Sequence, residues 1–165
     1  MVKLTPQTRE TYNDGPSNGR HCYFFQKNGV GYKLYPNKHE TLHAVRCQRW
    51  CYKMGIAPKP GSFFKLRRPI YSHHHEKWLR YGYTTALAHI HTKNDIDENY
   101  ETIREILDNK DIKYDDFCWF NIGIYKGKPV IIDFGWDGFK DKRTRRYINF
   151  SKSPRYRKEK YKKYC

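Results

Sequence analysis

The sequence predicts an α+β fold, and three observations carry that reading. Two β-rich runs, residues 21–25 and 30–35, flank the pair Asn28-Gly29. Two stretches, 37–55 and 95–109, repeat apolar residues every three or four positions, the period of a helix with one buried face. Two more β-rich runs, 121–125 and 130–134, are joined by Lys-Gly-Lys-Pro at 126–129.

Taken in order, the first 19 residues are rich in Thr, Pro, Asn and Gly and read as an extended lead-in ending in a flexible turn at 14–19. Asn and Gly tolerate the positive φ of a tight turn, so Asn28-Gly29 predicts a hairpin. Pro36 and Asn37 open the first helix. Its apolar face is Ala44, Cys47, Cys51 and Met54, Gly55 ends it, and Pro58 and Pro60 prevent its continuation. Residues 62–66 and 77–83 are expected strands around a loop carrying His73, His74 and His75. In the second helix Asp95 and Glu98 form a capping pair. Ile96, Tyr100, Ile103 and Leu107 make its apolar stripe, and Asn109 fits its end.

A chain of 165 residues holds one domain with one core, or a small two-lobed domain. Hydrophobic residues make up 38% and aromatics 17%, which excludes a wholly disordered chain. No run approaches the roughly 18 apolar residues of a membrane span, and the first residues have no apolar run behind their charge, so neither a membrane segment nor a secretory signal is expected. The expected location is the cytoplasm, that of the host if the protein is viral. Five cysteines without CxxC spacing suit reduced thiols better than a disulfide framework. The net charge is +16, and residues 140–165 hold twelve basic residues against two acids. This stretch is read as a basic tail that attracts acidic protein surfaces, polyphosphate or, nonspecifically, nucleic acid. Its interleaved tyrosines would stack on bases or simply be solvated.

Chemistry concentrates in residues 113–136. A hairpin over 121–134 would put Asn121 and Asp133 at the same open end, with Asp116 on the loop leading in. That is an oxygen-rich set of the kind a hard divalent ion such as Mg²⁺ accepts, completed by water and phosphate oxygens.

Asp116 and Asn121 reproduce the Asp-x4-Asn spacing of the protein-kinase catalytic loop, and Asp133-Phe134-Gly135 is that family's metal-binding triplet. Lys33, in Val-Gly-Tyr-Lys-Leu, lies where the family's strand lysine stands. The chain therefore resembles a minimal two-lobed protein-kinase-like fold with a truncated C-terminal lobe, similar to small kinase-like proteins of bacteria and bacteriophages. The resemblance implies a kinase-like domain over 1–139, with an N-lobe at about 1–85 and a reduced C-lobe at about 86–139, followed by the tail. It implies ATP and Mg²⁺ as cofactors and transfer of the γ-phosphate to a hydroxyl, on protein. Asp116 would receive or orient the hydroxyl proton, Asn121 and Asp133 would hold Mg²⁺, and Lys33 would contact the α- and β-phosphates.

Other positions keep two readings. Glu40 is either the helix glutamate that pairs with Lys33 or half of a capping box with Asn37. Gly15 and Gly19 either cover the phosphates or form a turn. His43, Cys47 and Cys51 share a helical stripe that is either core or a metal site. Tyr114 stands where the family has histidine, Asp115 is a second carboxylate beside Asp116, and only 30 residues follow Gly135, too few for the usual peptide platform. A catalytically silent kinase-like binding module and a basic nucleic-acid-binding protein are the rival functions.

Overall fold

The computed structural model describes residues 22–90, 96–118 and 121–152. They form a mixed α+β fold with two α-helices and three antiparallel sheets. The first sheet has the order β1-β2-β4-β3, from β1 (Tyr23–Lys27), β2 (Val30–Tyr35), β3 (Pro60–Ser72) and β4 (Lys77–Thr85). The second has the order β5-β7-β8, from β5 (His89–Ile90), β7 (Ile122–Tyr125) and β8 (Lys128–Ile131). The third pairs β6 (Ile112–Tyr114) with β9 (Phe139–Asp141). Helix α1 is Lys38–Lys53 and helix α2 is Ile96–Asp108.

The turn residues behave as their chemistry requires. Asn28 and Gly29 take φ of 51° and 75°, so Lys27 pairs with Val30 across a two-residue turn. Lys126 and Gly127 repeat the device at 50° and 76°, and Tyr125 pairs with Lys128. The loop expected over 126–129 is thus only two residues long, and Pro129 sits inside β8. It is tolerated there because β8 is an edge strand, where a missing N–H costs no ladder bond.

Helix α1 starts at Asn37, whose backbone is extended and whose side-chain oxygen accepts the Glu40 N–H at 2.9 Å. It ends with Gly55 at φ 79°, where Gly55 N donates to Tyr52 O and Ile56 N to Cys51 O. That is a Schellman closure, and Gly55 supplies the left-handed residue it needs. Strand β3 runs six residues past Leu66, where the alternation breaks at Arg67-Arg68-Pro69. A register irregularity between Lys65 and Ile70 absorbs the break and lets the pairing with β4 resume.

One apolar core runs through most of the molecule. It joins Ala44, Val45, Cys47 and Cys51 of α1 to Ile103 and Leu107 of α2, and to Ile122, Ile131, Phe134, Phe139, Ile148 and Phe150. A smaller cluster of Phe25, Leu34, Leu66 and Leu79 belongs to the first sheet. Residues 140–150, expected to open the tail, belong instead to the packed body. Lys140 bridges Tyr147, Ile148 N donates to Phe139 O at 2.8 Å, and Phe150 is fully buried. Basic density drew the boundary at 140, whereas the apolar pair Ile148 and Phe150 decides it. Cutting there removes two core side chains, at a cost on the order of 5 kcal/mol. Among the described residues, no helix is long and apolar enough to cross a membrane.

Candidate functional site

Lys33 lies on β2 between two partners, in register with Phe24 on β1 and Tyr83 on β4. Its side chain is buried, and Nζ donates to the Ile132 carbonyl at 2.6 Å and sits 4.8 Å from the Phe134 ring centroid. Ile132 and Phe134 flank Asp133, and the ammonium lies within reach of that carboxylate's charge without an ion pair among the described residues. Burial pulls the Lys33 pKa down, and Cys22, Asp133 and Cys47 push it back up.

Asp133 follows β8 into a turn, where Oδ1 accepts the Gly135 N–H at 3.1 Å. Burial raises its carboxyl pKa, Lys33 opposes that rise, and the charge of Asp116 adds to it. The pairing of β7 and β8 continues one step past the strand ends, because Ile132 N donates to Asn121 O at 2.9 Å. This step fixes Asn121 across from the residue that precedes Asp133. Asn121 is itself buried, and its Nδ2 donates to the Asp116 carbonyl at 3.0 Å. Asp116 is exposed. The hairpin thus sets Asn121 one step from Asp133, while Lys33 Nζ reaches the carbonyl just before Asp133 and Asn121 reaches the carbonyl of Asp116.

Four further residues shape the site, and their roles were not legible in the sequence. The buried Tyr114 hydroxyl donates to the Asp133 carbonyl at 3.1 Å, and burial, then the charges of Asp133 and Asp116, keep it protonated. Asp115 does not compete with Asp116. Lys113 and Lys140 each hold its carboxylate at 2.9 Å, and these contacts outweigh desolvation and lower its pKa. The Cys118 thiol points at Asp116 Oδ1 from 3.8 Å, and burial and that charge push its pKa up to about 12.

His43 is the fourth. Its Nδ1 accepts the Phe150 N–H at 3.1 Å, so Nε2 carries the proton and donates to the Gly135 carbonyl, also at 3.1 Å. Both nitrogens are used within the fold, and burial lowers the pKa to about 4. The core reading of the stripe with Cys47 and Cys51 therefore holds. His43 ties the turn after Asp133 to α1 and to residue 150.

Of the two readings of Glu40, the cap is the one with a contact. The Glu40 N–H completes the Asn37 cap, and no ion pair joins Glu40 to Lys33 among the described residues. The reason is local: Glu40 lies in the first helical turn, and the Lys33 ammonium is turned toward Ile132 and Phe134 instead. Gly15 and Gly19 lie outside the described residues. The described cysteines are free thiols. A separate cleft of about 180 Å³, lined by Tyr23, Tyr71, Ser72 and His73 among others, lies at the far end of the β3–β4 hairpin and includes none of the site residues.

Among the described residues no three His, Cys, Asp or Glu side chains form a metal cluster. The donors at this site are two carboxylates and an amide, all oxygen-bearing, which suits a hard cation that takes its remaining ligands from phosphate and water. A carboxyl whose pKa is raised chiefly by burial, and further by the charge of Asp116, is also a group whose ionised form a cation would stabilise. Compared with models of known protein families and with curated protein sequences, the chain matches none.

Proposed function

We propose that the chain is an ATP- and Mg²⁺-dependent phosphotransferase of the protein-kinase-like class, its two lobes reduced to the first sheet with α1 and the remainder with α2. The observation that supports it most is the contact of Lys33 Nζ with the carbonyl of Ile132, the residue before Asp133, across 99 positions of sequence. A fold that gains nothing from the pair would have little reason to bury both charges, since each is desolvated.

In this reading Lys33 binds the α- and β-phosphates, and Asn121 and Asp133 hold Mg²⁺, which neutralises phosphate charge when bound. Asp116, exposed at the mouth of the site, takes the proton of the acceptor hydroxyl as its oxygen bonds to the γ-phosphorus. The bond from phosphorus to the β,γ-bridging oxygen breaks, ADP leaves, and Asp116 returns the proton to solvent. Tyr114 and His43 hold the carbonyls of Asp133 and Gly135. Positioning and charge neutralisation supply most of the rate in such chemistry, so a small site suffices.

The test is a nucleotide titration with and without Mg²⁺, followed by melting temperature and by transfer of radiolabelled γ-phosphate to a host extract. Wild type should show both responses and Lys33→Met neither. The lack of a Glu40–Lys33 ion pair favours a second reading, a silent nucleotide-binding module. A melting shift with Mg-ATP and no transfer to any extract would select it.

A further inference from the structure

We propose that the hairpin over residues 139–148 is the docking surface for the phosphate acceptor, and that the acceptor is an acidic peptide segment. The proposal rests on the phosphotransferase reading and names its substrate class.

The hairpin is joined directly to the catalytic loop. Asp115 N donates to the Gly138 carbonyl at 2.8 Å, and the Asp115 carboxylate pairs with Lys140. The Lys140 ammonium lies 4.6 Å from the Tyr147 ring centroid, and that ring meets the Trp136 ring edge to face at 6.4 Å. A short chain of contacts therefore links Asp116, through its neighbour, to two large aromatics that are 43% and 49% exposed. Among the described residues most large apolar side chains are buried, so an exposed pair flanking the strand that pairs with the segment leading to Asp116 is a place for a partner.

Charge then selects the partner. Lys142 and Arg143 are ion-paired with Asp108 and Asp111. Arg145 and Arg146, exposed on the same hairpin, pair with no acid among the described residues. A planar guanidinium matches a carboxylate in a two-point contact, so two such groups side by side favour acidic side chains. Arg145 also sits at φ 58°, a left-handed conformation that glycine or asparagine would adopt at less cost. The Asp141 carboxylate holds this turn by accepting the Arg143 and Thr144 N–H groups at 2.8 and 3.0 Å.

The geometry disfavours a nucleic-acid strand. Lys140 already occupies one face of Tyr147, and Trp136 and Tyr147 lie at 72° to each other, so they do not make a continuous stacking platform. Such a corner accepts a single apolar side chain beside acidic neighbours. The hairpin root, with Phe139, Ile148 and Phe150 in the core, makes the surface rigid.

The test uses the full chain with a fluorescein-labelled random copolymer of Glu and Tyr, and with labelled oligo-dT of similar charge as the comparison. Affinity is measured for wild type, for Arg145→Glu with Arg146→Glu, and for Trp136→Ala, and each protein is also melted with Mg-ATP. The copolymer should bind wild type, lose about tenfold with the double reversal and severalfold with Trp136→Ala, while the Mg-ATP melting shift is unchanged. Equal copolymer affinity in all three proteins, or binding of oligo-dT without the copolymer, overturns the proposal. If Mg-ATP shifts none of the proteins but the variants still weaken the copolymer, the surface for acidic peptides stands and the nucleotide reading falls.

Discussion

Helix α1 and the turn around Asp133 both hold polar groups away from water, and they treat them in opposite ways. On α1, Gln48 is fully buried and satisfied: its amide donates to Pro58 O and Thr85 Oγ1, and its carbonyl accepts the Tyr83 hydroxyl at 2.8 Å. His43 likewise has a partner on each nitrogen. At the turn, Lys33 and Asp133 are charged groups that burial drives toward neutrality. The first arrangement locks elements together. The second leaves electrostatic demand unmet, which is what a binding site for a charged ligand requires.

That contrast breaks or sharpens with four changes. The largest effect belongs to Asp133→Asn, which keeps the acceptor for Gly135 N–H and removes the charge. Phosphate transfer should fall at least about a thousandfold, while the melting temperature without nucleotide stays level or rises. A sharp loss of stability would place Asp133 among the locking groups and erase the contrast.

Next is Gln48→Leu, which keeps the side chain's bulk but strands the Tyr83 hydroxyl and the Pro58 carbonyl. Chemical denaturation should show a loss of about 3 kcal/mol, with Mg-ATP still raising the melting temperature of the folded fraction.

The two regions should also respond to pH with opposite signs. Folded His43 takes up a proton only near pH 4, against 6.5 for the ordinary group. Between those values the unfolded chain binds more protons, so stability should fall by about 3 kcal/mol as pH drops through that window. Asp133, whose pKa is raised on folding, does the reverse: its contribution is full at low pH and is lost as pH rises through its folded value. Denaturant midpoints across pH for wild type and His43→Gln separate the two, because the variant should lack the acid loss.

The smallest effect is that of Tyr114→Phe. It removes the hydrogen bond to the Asp133 carbonyl and should cost about 1 kcal/mol in stability and about tenfold in transfer rate. No change in rate would mean that the Asp133 backbone is held well enough by Gly135 and the β7–β8 ladder.

Local chemistry made much of this legible in sequence. Asn28-Gly29 and Gly55 have conformational preferences that act over three or four residues, so the first hairpin and the limits of α1 follow from those residues alone. The apolar stripe of α2 is equally local, since Ile103 and Leu107 face the core because of helical spacing. The resemblance to protein-kinase motifs marked Lys33, Asp116, Asn121 and Asp133 as a set. The end of the body was not legible, because Ile148 and Phe150 are two apolar residues in a basic stretch and only their partners from α1 and β9 show that they are core.

The sequence by itself determined the turns, the caps and the two helical faces, since each depends on neighbours a few positions away, and its resemblance to protein-kinase motifs proposed the four candidate residues. Only the tertiary structure decided that Glu40 gives its N–H to the Asn37 cap and, among the described residues, forms no ion pair with Lys33, that Asp115 is tied up by two lysines, and that Tyr114 and His43 brace the turn around Asp133. Those contacts join residues up to about 107 positions apart, and a hydrogen bond or ion pair forms only where packing has brought both partners within a few ångströms and removed the competing water.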